Sequence, residues 1–184
     1  MKGVIFIYVA KIQLHNRIFR GTLDFYTIIK VLEDLKEHGF EFTVIDIFKE
    51  ISDLDNLNMY VVASLLLNSI MRYERVSEEV ITEHFIEAVK DPKGFADIFT
   101  YITTLFNKCI PNATKQSNTL EFEFEDEETK EDWDFDYMEY LWYSVVKRTD
   151  DFYKITPRNF FKQLDIYKDV NNIKPKAEEN IEYL

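Results

Sequence analysis

The sequence predicts a mainly α-helical protein: a compact helical N-terminal domain over residues 1–110 with a small β-hairpin at 3–20, an acidic flexible linker at 111–131, a C-terminal helical hairpin at 132–173 and a tail at 174–184. Three observations predict this order. From Thr22 to Phe106 apolar residues recur every three or four positions, the period of helices with one buried face. Before Thr22 the chain is instead rich in β-branched and aromatic residues, which suit strands. Residues 121–136, "EFEFEDEETKEDWDFD", hold ten acids and one lysine, so −9 of the chain's net −12 sits there. Like charges at that density repel and disfavour a compact core, so the segment separates two folded pieces.

At 184 residues and 46% hydrophobic, the chain can bury one sizeable core, or one core and a smaller appendage. Its most apolar run, residues 60–67, is far shorter than the roughly 20 residues of a membrane span. The opening "MKGVIFIYVAKIQ" has no small-residue cleavage site behind its apolar stretch, and a cytoplasmic protein is expected. A single cysteine, Cys109, rules out an internal disulfide and is expected to serve as a small buried residue.

Each element has its own signal. "VIFIYVAKIQL" and "RIFRG" flank "HN", a two-residue turn, and Gly21 closes the second strand. The first helix follows, with Leu23, Tyr26, Ile28, Ile29 and Leu32 on one face, Asp24 in its first turn and Gly39 at its stop. Thr43 heads a short helix carrying Val44, Ile47, Phe48 and Ile51. The next helix, from about Leu54 to Arg72, is apolar nearly all round and must be central. Ser77 caps "EEVITEHFIEAVK", whose face is Val80, Ile81, Phe85, Ala88 and Val89. "DPKG" breaks the chain, and Phe95, Ile98, Phe99, Ile102, Leu105 and Phe106 form a last stripe before Pro111.

Catalytic signals are absent from this sequence. His15, His38 and His84 are isolated, and there is no HExxH, CxxC or Gly-rich phosphate loop among only four glycines. Ser64 and Ser69 lie in an apolar helix with no base nearby in sequence, so an enzyme would need convergence in space alone. No cofactor is expected.

The stretch "DWDFDYMEYLWY" poses its own question, because Asp132, Asp134 and Asp136 alternate as calcium ligands do. An EF-hand loop counted from Asp132 needs glycine sixth and glutamate twelfth, and those positions hold Tyr137 and Tyr143. A helix start explains the aspartates instead, with Lys147 and Arg148 at the far end. On that helix Trp133, Tyr137, Leu141 and Val145 share a face flanked by Met138 and Trp142. A second helix begins at Thr156 and Pro157 and carries Phe160, Phe161, Leu164, Tyr167 and Val170. A hairpin this small does not usually hold a core alone. It needs a cover, either the N-terminal domain or another protein.

"DWDFDYMEYLWYSVVKRTDDFYKITPRNFFKQLDIYKDVNN" resembles the C-terminal extension of tail assembly chaperones from long-tailed phages of Gram-positive bacteria, over residues 133–172. Trp133, Tyr137, Leu141, Thr156, Pro157, Arg158, Asp165 and Asn171 fit that pattern. The resemblance implies a non-enzymatic protein that coats the tape measure protein before the tail is built and recruits tail tube subunits through the extension, which a ribosomal frameshift appends. It implies no nucleic-acid or membrane partner, leaves self-association open, and places the protein in the host cytoplasm rather than the mature virion. The partner-binding residues expected are Trp133, Tyr137, Leu141, Trp142, Thr156, Pro157, Arg158, Phe160, Phe161 and Asp165. The rival reading is an acidic inhibitor or adaptor that imitates nucleic-acid charge to bind a basic protein. A mimic of that kind spreads carboxylates over a rigid surface, whereas here they crowd one segment.

Overall fold

The computed structural model describes residues 8–52, 58–111 and 132–173. It is mainly helical with one small antiparallel hairpin, as the sequence predicts. In chain order the elements are β1 (Ala10–Leu14), β2 (Arg17–Gly21), α1 (Phe25–Glu37), α2 (Val44–Ser52), α3 (Met59–Glu74), α4 (Glu78–Ala88), α5 (Pro92–Cys109), α6 (Phe135–Tyr140) and α7 (Pro157–Val170). A π-helical turn (Leu141–Val145) extends α6, and a 3-10 turn (Phe152–Lys154) precedes α7. The acidic linker, save Pro111, and the C-terminal tail lie outside the described residues, as do residues 3–7 of the expected hairpin and 54–57 of the expected central helix.

The hairpin pairs Ala10 with Gly21 and Leu14 with Arg17, leaving His15 and Asn16 as the turn, with His15 at a φ of 51°. Alternation then sends Ala10, Ile12, Leu14 and Phe19 into the core and Lys11, Gln13, Ile18 and Arg20 outward. On the buried side β1 meets α5 and β2 meets α3. Gly21 is required by that approach, since a Cβ there would lie 1.8 Å from the Tyr101 hydroxyl and 2.9 Å from Ser69 Oγ.

Asp24 caps α1, accepting hydrogen bonds from the Thr27 amide (2.9 Å) and hydroxyl (2.7 Å). Its second oxygen takes the Arg72 Nε–H at 2.7 Å, tying α1 to α3 through a buried carboxylate. The far end of α1 is a Schellman closure: Gly39 N–H reaches Lys36 O and Phe40 N–H reaches Leu35 O, with Gly39 at a φ of 86°. The buried face of this helix differs from the expected one. It runs through Phe25, Ile28, Val31 and Leu35, while Tyr26 stays exposed under the Arg72 guanidinium, 4.7 Å from its ring centre. A tyrosine at the edge of a face can keep its hydroxyl in water while its ring holds a cation.

Thr43 and Asp46 cap α2 reciprocally, each side chain accepting the other's backbone N–H at 3.0 Å. Helix α3 is central, as expected, burying Val61, Val62, Leu65, Leu66 and Ile70. Ser77 stands at the N-cap of α4, but its hydroxyl makes no bond to the first-turn amides. "DPKG" breaks the chain between α4 and α5, as expected, and also starts α5: Asp91 accepts from the Lys93 amide and Pro92 takes the first helical position. Two apolar clusters result. The larger joins the hairpin to α1 through α5, and the smaller gathers Phe25, Met138, Trp142, Phe152, Ile155, Phe160 and Leu164, with Trp133 and Phe135 packed against both.

Candidate interaction surface of the C-terminal helices

Two of the alternating aspartates are helix caps, and Asp136 sits in the first turn of α6. Asp134 Oδ1 accepts the Tyr137 amide at 2.8 Å and so opens α6. Asp132 Oδ1 accepts the amides of Trp133 (2.8 Å) and Val44 (2.9 Å), the latter at the start of α2, 88 residues earlier in the chain. One carboxylate thereby caps a helix of the other half of the molecule. At its far end the π-helical turn closes with the Val146 N–H on Leu141 O, and Lys147 adopts a φ of 57°.

Several residues expected to bind a partner are instead engaged within this chain, and Trp133, Arg158 and Phe160 among them contact its N-terminal half. Trp133 lies edge-on to Phe25 (5.9 Å), Phe48 (5.5 Å) and Phe161 (5.8 Å). Phe160 meets Phe25 at 5.7 Å and Trp142 at 6.1 Å, and the indole N–H of Trp142 donates to Asp150 O at 2.8 Å. Thr156 and Pro157 are buried at the start of α7, where Thr156 Oγ1 faces the Asn159 amide at 3.4 Å. Arg158 donates through Nε and Nη2 to Ile110 O (3.1 and 2.8 Å) and through Nη2 to Asn107 O, satisfying carbonyls at the end of α5. Leu141 and Phe161 fringe the smaller cluster, and Asp165 is half-buried on α7. Of the two covers the sequence leaves open for the C-terminal helices, the N-terminal half supplies one: Trp142, Thr156, Pro157 and Phe160 are buried and Trp133 and Arg158 partly buried within the chain. Their surface is already covered, because the aromatic side of the C-terminal helices faces α1, α2 and α5.

Phe25 organises this junction, and the sequence reading missed it. Its ring is fully buried, stacks on Phe152 at 4.4 Å and meets Trp133, Phe135 and Phe160 edge-on, while its N–H donates to Ile155 O at 3.1 Å. The available signal was its place directly after the Asp24 cap and three residues before Ile28, on the buried stripe. One polar atom at the junction stays unmatched: the buried Trp133 Nε1–H has no acceptor among the described residues.

What remains open is the opposite side of α6. Tyr137 and Tyr140 are 57% and 55% exposed, with rings stacked at 6.4 Å and 20°. Tyr143, one turn on, is exposed while its hydroxyl accepts the Phe152 amide at 3.1 Å. Tyr153 donates to Glu139 at 3.0 Å, and burial, followed by that bond and the nearby Asp136, holds its phenol proton more tightly than usual. Of the ten expected residues Tyr137 is the one that faces water most openly, and Tyr140 and Tyr143 join it.

Groups with chemical potential elsewhere are engaged in structure. Ser69 is buried and shares a 2.7 Å hydrogen bond with Tyr101, whose phenol burial pushes up. Burial likewise pushes the Cys109 thiol up to about 11. His15 and His84 stack at 6.4 Å beside Phe19, and no group of three or more His, Cys, Asp or Glu among the described residues is placed to hold a metal ion. No described helix is long and apolar enough to cross a membrane. Compared with protein-family models, with curated proteins and with solved structures, the chain matches none.

Proposed function

We propose that the protein is a tail assembly chaperone of a long-tailed phage, a non-enzymatic protein that keeps the tape measure protein soluble and recruits tail tube subunits in the host cytoplasm. The observation that carries this reading is the resemblance of residues 133–172 to the C-terminal extension of such chaperones. Two surfaces are compatible with it. A groove on α5 lined by Phe95, Phe99, Thr100, Thr103 and Thr104 offers apolar area to the stripe of a long helix. The open tyrosine side of α6 offers a second, separate surface. Shielding aggregation-prone stripes needs such area together with charge that keeps the complex soluble, and the acidic segment at 121–136 supplies the charge.

The test is co-expression of the full chain with a phage tape measure protein, and separately with a tail tube protein, from one tail gene cluster. A soluble, co-purifying complex with each is expected. A tape measure protein that stays insoluble, with a tube protein that is not retained, would refute the chaperone reading.

A further inference from the structure

We infer that the open side of α6 is a docking surface for an arginine-bearing segment of a partner protein. The inference does not depend on the tail-assembly reading. It starts from an unpartnered helix face: Tyr137 and Tyr140 expose stacked rings on the side of α6 away from the smaller cluster, while Trp142, Phe152 and Phe160 are buried in it. Such faces gain most when a partner removes the remaining water. Charge then selects the partner. Asp136 lies one helical turn before Tyr140, Asp134 one turn before Tyr137, and Glu139 beside them, and no Lys or Arg among the described residues pairs with any of the three. Glu139 accepts the Tyr153 hydroxyl and Asp134 the Tyr137 amide, but no described cation neutralises either of them or Asp136, and a ring face rimmed by such carboxylates suits a cation that is also planar. A guanidinium can stack on tyrosine and place its N–H fork on a carboxylate, whereas an ammonium can use only its charge. The same chain uses this chemistry internally, where Arg72 lies 4.7 Å over Tyr26 while its Nε–H binds Asp24.

A second copy could also supply cations, since Lys11, Arg17 and Arg20 lie exposed on the hairpin around the exposed Ile18. With a net charge of −12 on each copy, long-range repulsion opposes that pairing and favours a basic partner.

The experiment uses the full chain and a fluorescein-labelled peptide of alternating arginine and glycine, with its lysine counterpart, followed by anisotropy at two salt concentrations. Y137A/Y140A should weaken the arginine peptide about tenfold or more and leave the melting temperature unchanged, because both rings are largely in solvent. The arginine peptide should bind more tightly than the lysine peptide. Replacing the glutamates at 121, 123, 125, 127 and 128 by glutamine should reduce affinity less than the tyrosine pair does. The inference is overturned by unchanged binding in the tyrosine variant, by equal binding of the two peptides, or by loss of all binding on neutralising residues 121–128. It is equally overturned if the chain self-associates and R17A/R20A abolishes that association together with the accessibility of Tyr137, for then the occupant is a second copy.

Discussion

Tyr101 fills the space that a side chain at position 21 would need, and this pair gives a test of packing at single-residue resolution. Gly21→Ala should destabilise the chain by about 1–3 kcal/mol, the usual cost of overpacking. The nearest atom to the added Cβ is the Tyr101 hydroxyl, so Tyr101→Phe in the same chain should recover part of the loss. Urea denaturation of the two single variants and the double variant checks this, and simple additivity would contradict it. Cys109 gives a second test through pH. Its thiol titrates at about 11 in the fold against an ordinary 9.0, so the neutral form is the one the native state holds. Stability from this group is complete below the unfolded value and is lost as pH rises toward the folded one, by roughly 1 kcal/mol at pH 10. Tyr101 shifts in the same direction but starts from 10.0, so it adds its effect later. Cys109→Ala should flatten the stability profile between pH 8 and 10, and an unchanged slope there would show that the loss has another source.

Helix ends were legible because their chemistry is local. Asp24 before α1, Gly39 after it, Thr43 before α2 and Thr156–Pro157 before α7 each act within a few residues of the sequence that announces them. Helix faces were legible only where one neighbour defines them. On α1 the sequence placed Tyr26 on the buried stripe, and the burial of Phe25 instead is decided by Phe152, Phe160 and Trp133, more than a hundred residues away. Periodicity carries no information about such a partner. For the same reason the sequence left two covers for the aromatic side of the C-terminal helices, this chain or another protein, and in the fold Tyr137 is the one expected anchor left largely in solvent. This division predicts how neighbouring aromatics respond to truncation. Trp133→Ala should cost about 3 kcal/mol of stability, the lower end for large core aromatics, because its N–H is already unmatched. Tyr137→Ala should stay within about 0.5 kcal/mol, as exposed positions do. Thermal or urea melts of the two variants decide it, and equal losses would mean that Tyr137 is packed more tightly than its exposure shows.

At the scale of the whole molecule, the two clusters differ in how much they need each other. The larger one contains the hairpin, α3 and the buried stripes of α1, α2, α4 and α5, so all its buried members lie in residues 1–111, with Trp133 and Phe135 packed on from outside. The smaller one borrows Phe25 from α1 and covers Phe48 with Trp133, so it has no complete core without the N-terminal half. A fragment ending at residue 111 should therefore still unfold cooperatively, but it loses the cover of Phe25, the Asp132 cap on α2 and the Arg158 bonds to the end of α5. Uncovering one phenylalanine costs roughly 1.5–3 kcal/mol, and each lost hydrogen bond about 1 kcal/mol more. At roughly 3–4 °C per kcal/mol for a domain of this size, the fragment should melt about 10–25 °C below the full chain. It should also bind a hydrophobic dye that the full chain does not, and Phe25→Ser should reduce that binding because Phe25 stands at the middle of the uncovered patch. A fragment with no cooperative transition would show that the C-terminal helices complete the larger core as well. A fragment as stable as the full chain would show that the Phe25 junction contributes nothing, and that the two halves only rest against each other.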